Sequence, residues 1–169
     1  MAREIDSFLE TWDAEARRTA EVLRKLPADK YDFRADPKGR SIGELAWHLA
    51  ELDGYIPHGI HRGSLATGEK PEGITRPRTI AELAPGYENV HRAASDKLRS
   101  MGNVDLDASI PFFDGKPVPI RRLLWDAMIH HTIHHRGQLV LMTRLAGGTP
   151  PGLFGPTREE TEAMKAART

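Results

Sequence analysis

The sequence predicts an all-α protein, a four-helix bundle with long crossover connections. Three observations lead there. Four segments, opening near Ile5, Ser41, Thr79 and Ile120, repeat apolar residues at helical spacing. Two long connections, 63–78 and 103–119, separate the second helix from the third and the third from the fourth. The strand signals that exist are too short to build a sheet core. With 169 residues, no internal repeat and no low-complexity segment, one domain over 1–169 is expected.

The first helix is expected from about Ile5 to Leu26. Ile5, Phe8, Trp12, Ala16, Thr19, Val22 (or Leu23) and Leu26 form its apolar stripe, while Asp13, Glu15, Arg17 and their like cover the other faces. Leu26-Pro27 stops it. Tyr31 to Arg40 reads as a loop, with Asp36-Pro37-Lys38-Gly39 as its turn. Ser41-Ile42-Gly43-Glu44 has capping-box spacing and opens the second helix. Its apolar face is Ile42, Leu45, Leu49, Leu52 and Ile56, and His48 lies on that face. Pro57 is expected to kink or end the helix, leaving His58 and His61 as surface residues beyond it.

Thr79-Ile80-Ala81-Glu82 repeats the capping box, and Leu83, Tyr87, Val90, Ala94, Leu98 and Met101 carry the third helix to Gly102. Pro85 predicts a kink or an early break. His91 sits among polar residues and is expected to be exposed. Ile110 to Val118 reads as a short hairpin turning at Asp114-Gly115, with Phe112 and Phe113 as packing residues. The fourth helix is expected as one element, Ile120 to Leu145, stopping at Gly147-Gly148. The tail is expected to pack back through Leu153 and Phe154, and Thr157-Arg158-Glu159-Glu160 to cap a short final helix.

Composition narrows the function. Lys and Arg total 24, as do Asp and Glu, so bulk charge recommends neither nucleic acid nor an anionic membrane as partner. The absence of cysteine removes disulfides, thiolate ligands and a cysteine nucleophile, and fits a cytoplasmic location. The polar start Met1-Ala2-Arg3-Glu4-Ile5-Asp6 does not read as a signal peptide, and no run of about 18 apolar residues predicts a membrane span. Neither a serine elbow nor a glycine-rich phosphate loop is present.

The chemistry concentrates in the fourth helix, where four of the eight histidines fall in His130-His131-Thr132-Ile133-His134-His135. Two pairs, His130/His134 and His131/His135, have the i,i+4 spacing that stacks side chains on one face. The stripe Leu124, Met128, His131, His135, Gln138, Met142 has bundle-seam spacing and turns His131 and His135 inward. Each buried imidazole needs two partners, which core hydrogen bonds or a divalent metal with an outer acceptor would supply. Three inward imidazoles on two helices favour the metal. Around them, Gln138 either bonds the bound water or substrate or packs on the second helix. Glu51 is read as solvated, with a bond to His48 as the alternative. Arg136 is read as pairing with a carboxylate on a neighbouring helix, and Trp47 as core or interface.

Ser41-Ile42-Gly43-Glu44-Leu45-Ala46-Trp47-His48-Leu49-Ala50, His131-Thr132-Ile133-His134-His135-Arg136-Gly137-Gln138-Leu139 and the ending Leu145 to Gly155 together resemble the DinB/YfiT-like family, over nearly the whole chain. The resemblance implies an up-down-down-up bundle, commonly a homodimer, with one metal ligand from helix 2 and two from helix 4. Those positions match His48, His131 and His135, with His134 as nearest competitor. Some relatives are metal-dependent transferases or isomerases that use a low-molecular-weight thiol such as bacillithiol or mycothiol.

Three neutral histidines would leave an ion with an open position, the mark of a catalytic site. Zn²⁺ or Ni²⁺ is expected first, Fe²⁺ or Co²⁺ next, and hard Mg²⁺ or Ca²⁺ not at all. The expected function is therefore a metal-dependent transferase or hydrolase acting on a small-molecule substrate. A non-catalytic metal-binding or sensor protein, or a purely structural bundle, is the alternative.

Overall fold

The computed structural model describes residues 4–66 and 69–168. The polar start at residues 1–3 and two residues of the connection after the second helix lie outside them. Four long helices build the molecule: α1 (Glu4–Arg24), α2 (Ile42–Arg62), α3 (Ile80–Ser100) and α4, which runs from Ile120 to Leu145. A two-stranded hairpin, β1 (Ser109–Pro111) and β2 (Pro117–Pro119), precedes α4, and a short α5 (Arg158–Ala166) follows it.

Helix directions follow from two apolar clusters stacked along the bundle. α1 contributes Ile5, Phe8 and Trp12 to the lower cluster and Ala20 and Leu23 to the upper. α2 starts among Leu45 and Leu49 in the upper cluster and ends with Ile56 and Ile60 in the lower; α3 runs the same way from Leu83 to Leu98. α4 returns from Leu123 and Leu124 to Leu139 and Met142. The order is up-down-down-up. α1 and α2 each pack on α3 and α4, so the long connections are the crossovers that this arrangement requires.

Local chemistry explains most helix ends. At the start of α2 the Ser41 hydroxyl accepts the Glu44 N–H at 3.2 Å, and Glu44 accepts the Ser41 N–H at 2.8 Å. Thr157 and Glu160 form the same reciprocal pair at the start of α5. At α3 the expected box does not close: the Thr79 hydroxyl donates to the Glu82 carboxylate at 2.5 Å instead of capping the backbone. Pro85 sits inside α3 without breaking it. Pro57 likewise neither ends α2 nor puts His58 and His61 on a turn, because α2 continues to Arg62 and stops at Gly63, φ 77°. Burial of Ile56 and Ile60 in the lower cluster offsets the one hydrogen bond that proline removes.

α4 is continuous but not uniform. After one α turn (Ile120–Arg122) it runs as a π-helix over Leu123–His130, then as an α-helix over His131–Leu145. A π turn holds more residues than an α turn, so the face presented downstream is rotated from the one a straight helix would present. Thr132, Arg136, Leu139 and Thr143 become the buried centre, and Gln138, expected on the stripe, is exposed.

A polar layer divides the two clusters. Glu15, expected on the outer face of α1, is buried, and Arg136 reaches it from α4: Nη2 lies 2.5 Å from Glu15 Oε2 and Nη1 donates to the Glu15 carbonyl at 3.0 Å. His91, expected to be exposed, is tucked between helices. Its Nδ1 lies 2.9 Å from Asp53 Oδ2 and its Nε2 3.1 Å from Asp13 Oδ1. Burial opposes its charge, but the two carboxylates outweigh burial and raise the His91 pKa above its ordinary 6.5. The contribution of a base with a raised folded pKa is complete below its unfolded value of about 6.5 and is lost as pH rises through the raised value. The stability difference between the native protein and His91→Gln is therefore expected to be largest in mild acid and to shrink above neutrality. Urea titrations at stepped pH measure it, and a pH-independent difference would contradict it.

The remaining expectations divide. The hairpin forms with its turn at Gly115, φ 80°; Phe112 packs on the lower cluster, whereas Phe113 is exposed. In the tail Leu153 packs on the upper cluster, but Phe154 stays 72% exposed beneath the Arg18 guanidinium. Trp47 is a core residue whose indole N–H donates to the Ile74 carbonyl at 3.0 Å. Among the described residues no helix is long and apolar enough to cross a membrane.

Candidate metal centre

His48 enters from the second turn of α2, whose phase is set by the Ser41–Glu44 cap. His131 is the first residue after the π segment, and His135 follows one turn later. Each offers a nitrogen, and the three atoms lie within 4.8 Å of one another. The His48 ring stands edge-on to both partners, with centroids 5.3 Å from His131 and 4.9 Å from His135. All three side chains are half-buried at the flank of the α2–α4 seam rather than at its centre.

The outer nitrogens of two of the rings are held by neighbouring side chains. His48 Nδ1 lies 3.2 Å from the Glu51 carboxylate, which remains partly exposed, so Glu51 is solvated and bonded to the ring at once. His135 Nδ1 lies 2.6 Å from Gln138 Oε1. Gln138 thus neither packs on α2 nor stands free; it orients His135. The Ala127 backbone, inside the π segment, is close enough to act on the His131 ring.

These bonds determine what the inner nitrogens of His48 and His135 are. An amide oxygen and a carboxylate only accept, so Nδ1 of His48 and of His135 carries the ring proton and Nε2 of each keeps a lone pair. The His135 lone pair faces His131 Nε2 at 2.7 Å, a separation that takes either the His131 ring proton or a cation between the two nitrogens. Burial, followed by the charge of His48, lowers the pKa of His131; burial also leads in lowering that of His135, against the opposing bond from Gln138. Both rings are thus kept neutral, and the donor set fits a divalent ion with imidazole ligands.

The other histidines stand apart. His134 is exposed, its Nε2 3.2 Å from the Gln138 amide nitrogen. His130 is exposed beside Asp126. His58 and His61 lie at the far end of α2, outside the cluster. Sequence periodicity missed the Asp13–His91–Asp53 chain and the inward Glu15. Their signals were present: Asp53 is four residues beyond Leu49, and Glu15 three beyond Trp12, each a charge at core spacing.

One end of the centre opens on a cleft of about 360 Å³ between the 35–40 loop and α4, floored by Leu45 and Met142. The loop is tied down: Arg34 donates to Glu44 at 2.7 Å and to the Gly39 carbonyl at 2.5 Å, and Tyr31 donates to the Pro77 carbonyl at 2.6 Å. The Arg34 hydrogen bond, with the capping bond from Ser41, lowers the Glu44 pKa to about 2.

Comparison with known proteins agrees with this architecture. The DinB family profile matches residues 1–167. The chain is similar to a DinB-like protein of known crystal structure from Bacillus cereus ATCC 10987, with 31% identity, TM-score 0.74, and coverage of 91% of this chain and 100% of that one. A DinB-like protein from Bacillus subtilis, YjoA, shares the fold at TM-score 0.71 and 24% identity, covering 90% of this chain and 99% of its own. Uncharacterized protein YrdA of Bacillus subtilis (strain 168) is 28% identical over 160 residues, 95% of this chain and 93% of YrdA.

Proposed function

The chain belongs to the DinB family, and on that premise we propose that it is a metal-dependent enzyme, a thiol-dependent transferase or a hydrolase, with a divalent ion held by His48, His131 and His135. The observation that carries this reading is the convergence of three imidazole nitrogens within 4.8 Å, the His131 and His135 Nε2 atoms 2.7 Å apart and the outer nitrogen of His135 bonded to Gln138. Neutral nitrogen ligands suit Zn²⁺ or Ni²⁺ first, then Fe²⁺ or Co²⁺. What the ion supplies is a lowered pKa for the thiol or water it binds, giving a nucleophile near neutral pH.

The chain's own residues do the rest. Burial keeps the His131 and His135 rings neutral and available as donors. Glu51 and Gln138 hold the His48 and His135 rings in orientation. The cleft beside His135 seats the small-molecule substrate and limits its contact with water. Because the chain has no cysteine, a thiol nucleophile comes from solution as a low-molecular-weight thiol.

Two measurements test this. Glu51→Ala and Gln138→Leu are each expected to weaken Zn²⁺ binding roughly 10–100-fold, as loss of an outer acceptor does; chelator competition reads the affinity, and unchanged affinity in both would count against the centre. Titration of the Co²⁺-loaded protein with 2-mercaptoethanol is expected to raise a sulfur-to-cobalt charge-transfer band well below the free thiol's pKa. Retained Co²⁺ with no such band would sink the thiol branch of the reading and leave hydrolysis.

A further inference from the structure

The cleft beside His135 has more character than a generic pocket. Its volume of about 360 Å³ falls at the small end of the range typical of small-molecule sites. Its walls are apolar: Leu45 and Met142 form the floor, and Leu141, 59% exposed, forms one side. Leu141 thus leaves apolar surface open to a ligand on the flank of α4.

The rim adds a charge that has no partner among the described residues. Neighbouring arginines are engaged: Arg34 with Glu44 and Gly39, and Arg76 with Glu44. Arg40, on the rim, forms neither a hydrogen bond nor an ion pair among the described residues. Its charge reaches the histidines, for it is among the charges acting on His131. Asp36 on the same rim is turned into its own loop, where Oδ1 accepts the Lys38 N–H at 2.9 Å. A planar guanidinium presents paired donors matched to a carboxylate or a phosphate.

We infer that the cleft binds an organic anion, with an apolar body along Leu45, Leu141 and Met142, its carboxylate or phosphate on Arg40, and its reactive end toward His135. This assigns the substrate class of the proposed reaction and rests on that reading for its chemistry, but binding through Arg40 and the apolar walls does not need the ion. The geometry also predicts the polarity of the reaction: the group transformed lies at the end of the molecule away from its charge.

The test uses three probes with one apolar body, hexanoate, hexyl phosphate and hexanol, titrated by calorimetry into protein stripped with chelator and into Zn²⁺-loaded protein. One or both anions are expected to bind roughly tenfold tighter than hexanol, the size of one charge-assisted contact. Which anion gains more tells carboxylate from phosphate. Arg40→Gln, at an exposed position, is expected to bring the anions down to the level of hexanol, and Leu141→Ser to weaken all three probes. Equal binding of hexanol and the anions, anion binding unchanged in Arg40→Gln, or no binding of any probe at millimolar concentration would each overturn the inference. Zn²⁺ uptake is recorded separately: anion binding through Arg40 in a protein that takes up no Zn²⁺ would refute the metal reading and leave this one standing.

Discussion

Arg136→Ala is expected to cost about 2–4 kcal/mol of folding stability, from the lost charge-assisted bonds and the space its buried side chain leaves. The Arg136 side chain is 1% exposed and that of Glu15 9%, and their ion pair crosses from α4 to α1 in the layer between the two apolar clusters. Removing the guanidinium leaves the buried Glu15 carboxylate with Arg18 as its one charged partner, Nη1 2.7 Å from Oε1, and leaves the Glu15 carbonyl with the bond from the Thr19 hydroxyl. Removing both charges leaves no such debt. Glu15→Leu with Arg136→Met is therefore expected to recover most of the loss, by the logic that buried ion pairs are weak stabilisers but costly to break singly. Urea unfolding of the single and double variants measures this; a loss below about 1 kcal/mol in Arg136→Ala would mean that the pair is effectively solvated. The pair also has a functional consequence. Adjacent residues on an α-helix project about 100° apart, so seating Arg136 against α1 fixes the direction in which His135 faces α2.

His131→Ala is expected to lower divalent-metal affinity by roughly a thousandfold or more, well beyond the 10–100-fold loss expected for an outer acceptor. Only His48 and His135 would remain, and the nitrogen facing His135 would be gone. His134→Ala is the matched control. Its ring is exposed and bonded to the amide end of Gln138, so its removal is expected to leave affinity within a few-fold of the native protein. Chelator competition on the two variants distinguishes the residues. Equal losses would restore His134 as a ligand and displace the geometry described for the cluster.

How much of this was legible beforehand depends on whether the deciding partner is near in sequence. The capping pairs Ser41–Glu44 and Thr157–Glu160 are local and read correctly, as did the apolar stripes of α1, α2 and α3 and the hairpin turn at Gly115. The convergence of His48, His131 and His135 was legible because each lies close to an apolar stripe. The failures share a cause. Pro57 was a reliable local signal overridden by burial of Ile56 and Ile60, so α2 ran on. His91 looked solvated because its partners, Asp53 and Asp13, lie 38 and 78 residues away. The π segment has no marker in a 3.6-residue projection, and its rotation moved Gln138 from the seam to the surface, where it orients His135. Arg40 was unremarkable in sequence; only the folded loop places it on the cleft without a partner among the described residues.

The central claim is that His48, His131 and His135 hold one transition-metal ion. Elemental analysis of untagged protein, purified without a nickel column, tests it most directly. The account predicts about one zinc, nickel, iron or cobalt ion per chain in the native protein and a small fraction of that in His131→Ala, consistent with three donors spaced for one ion. No metal in the native protein, and none taken up from added Zn²⁺ or Ni²⁺, would contradict it and leave the three imidazoles as packing residues of the α2–α4 seam.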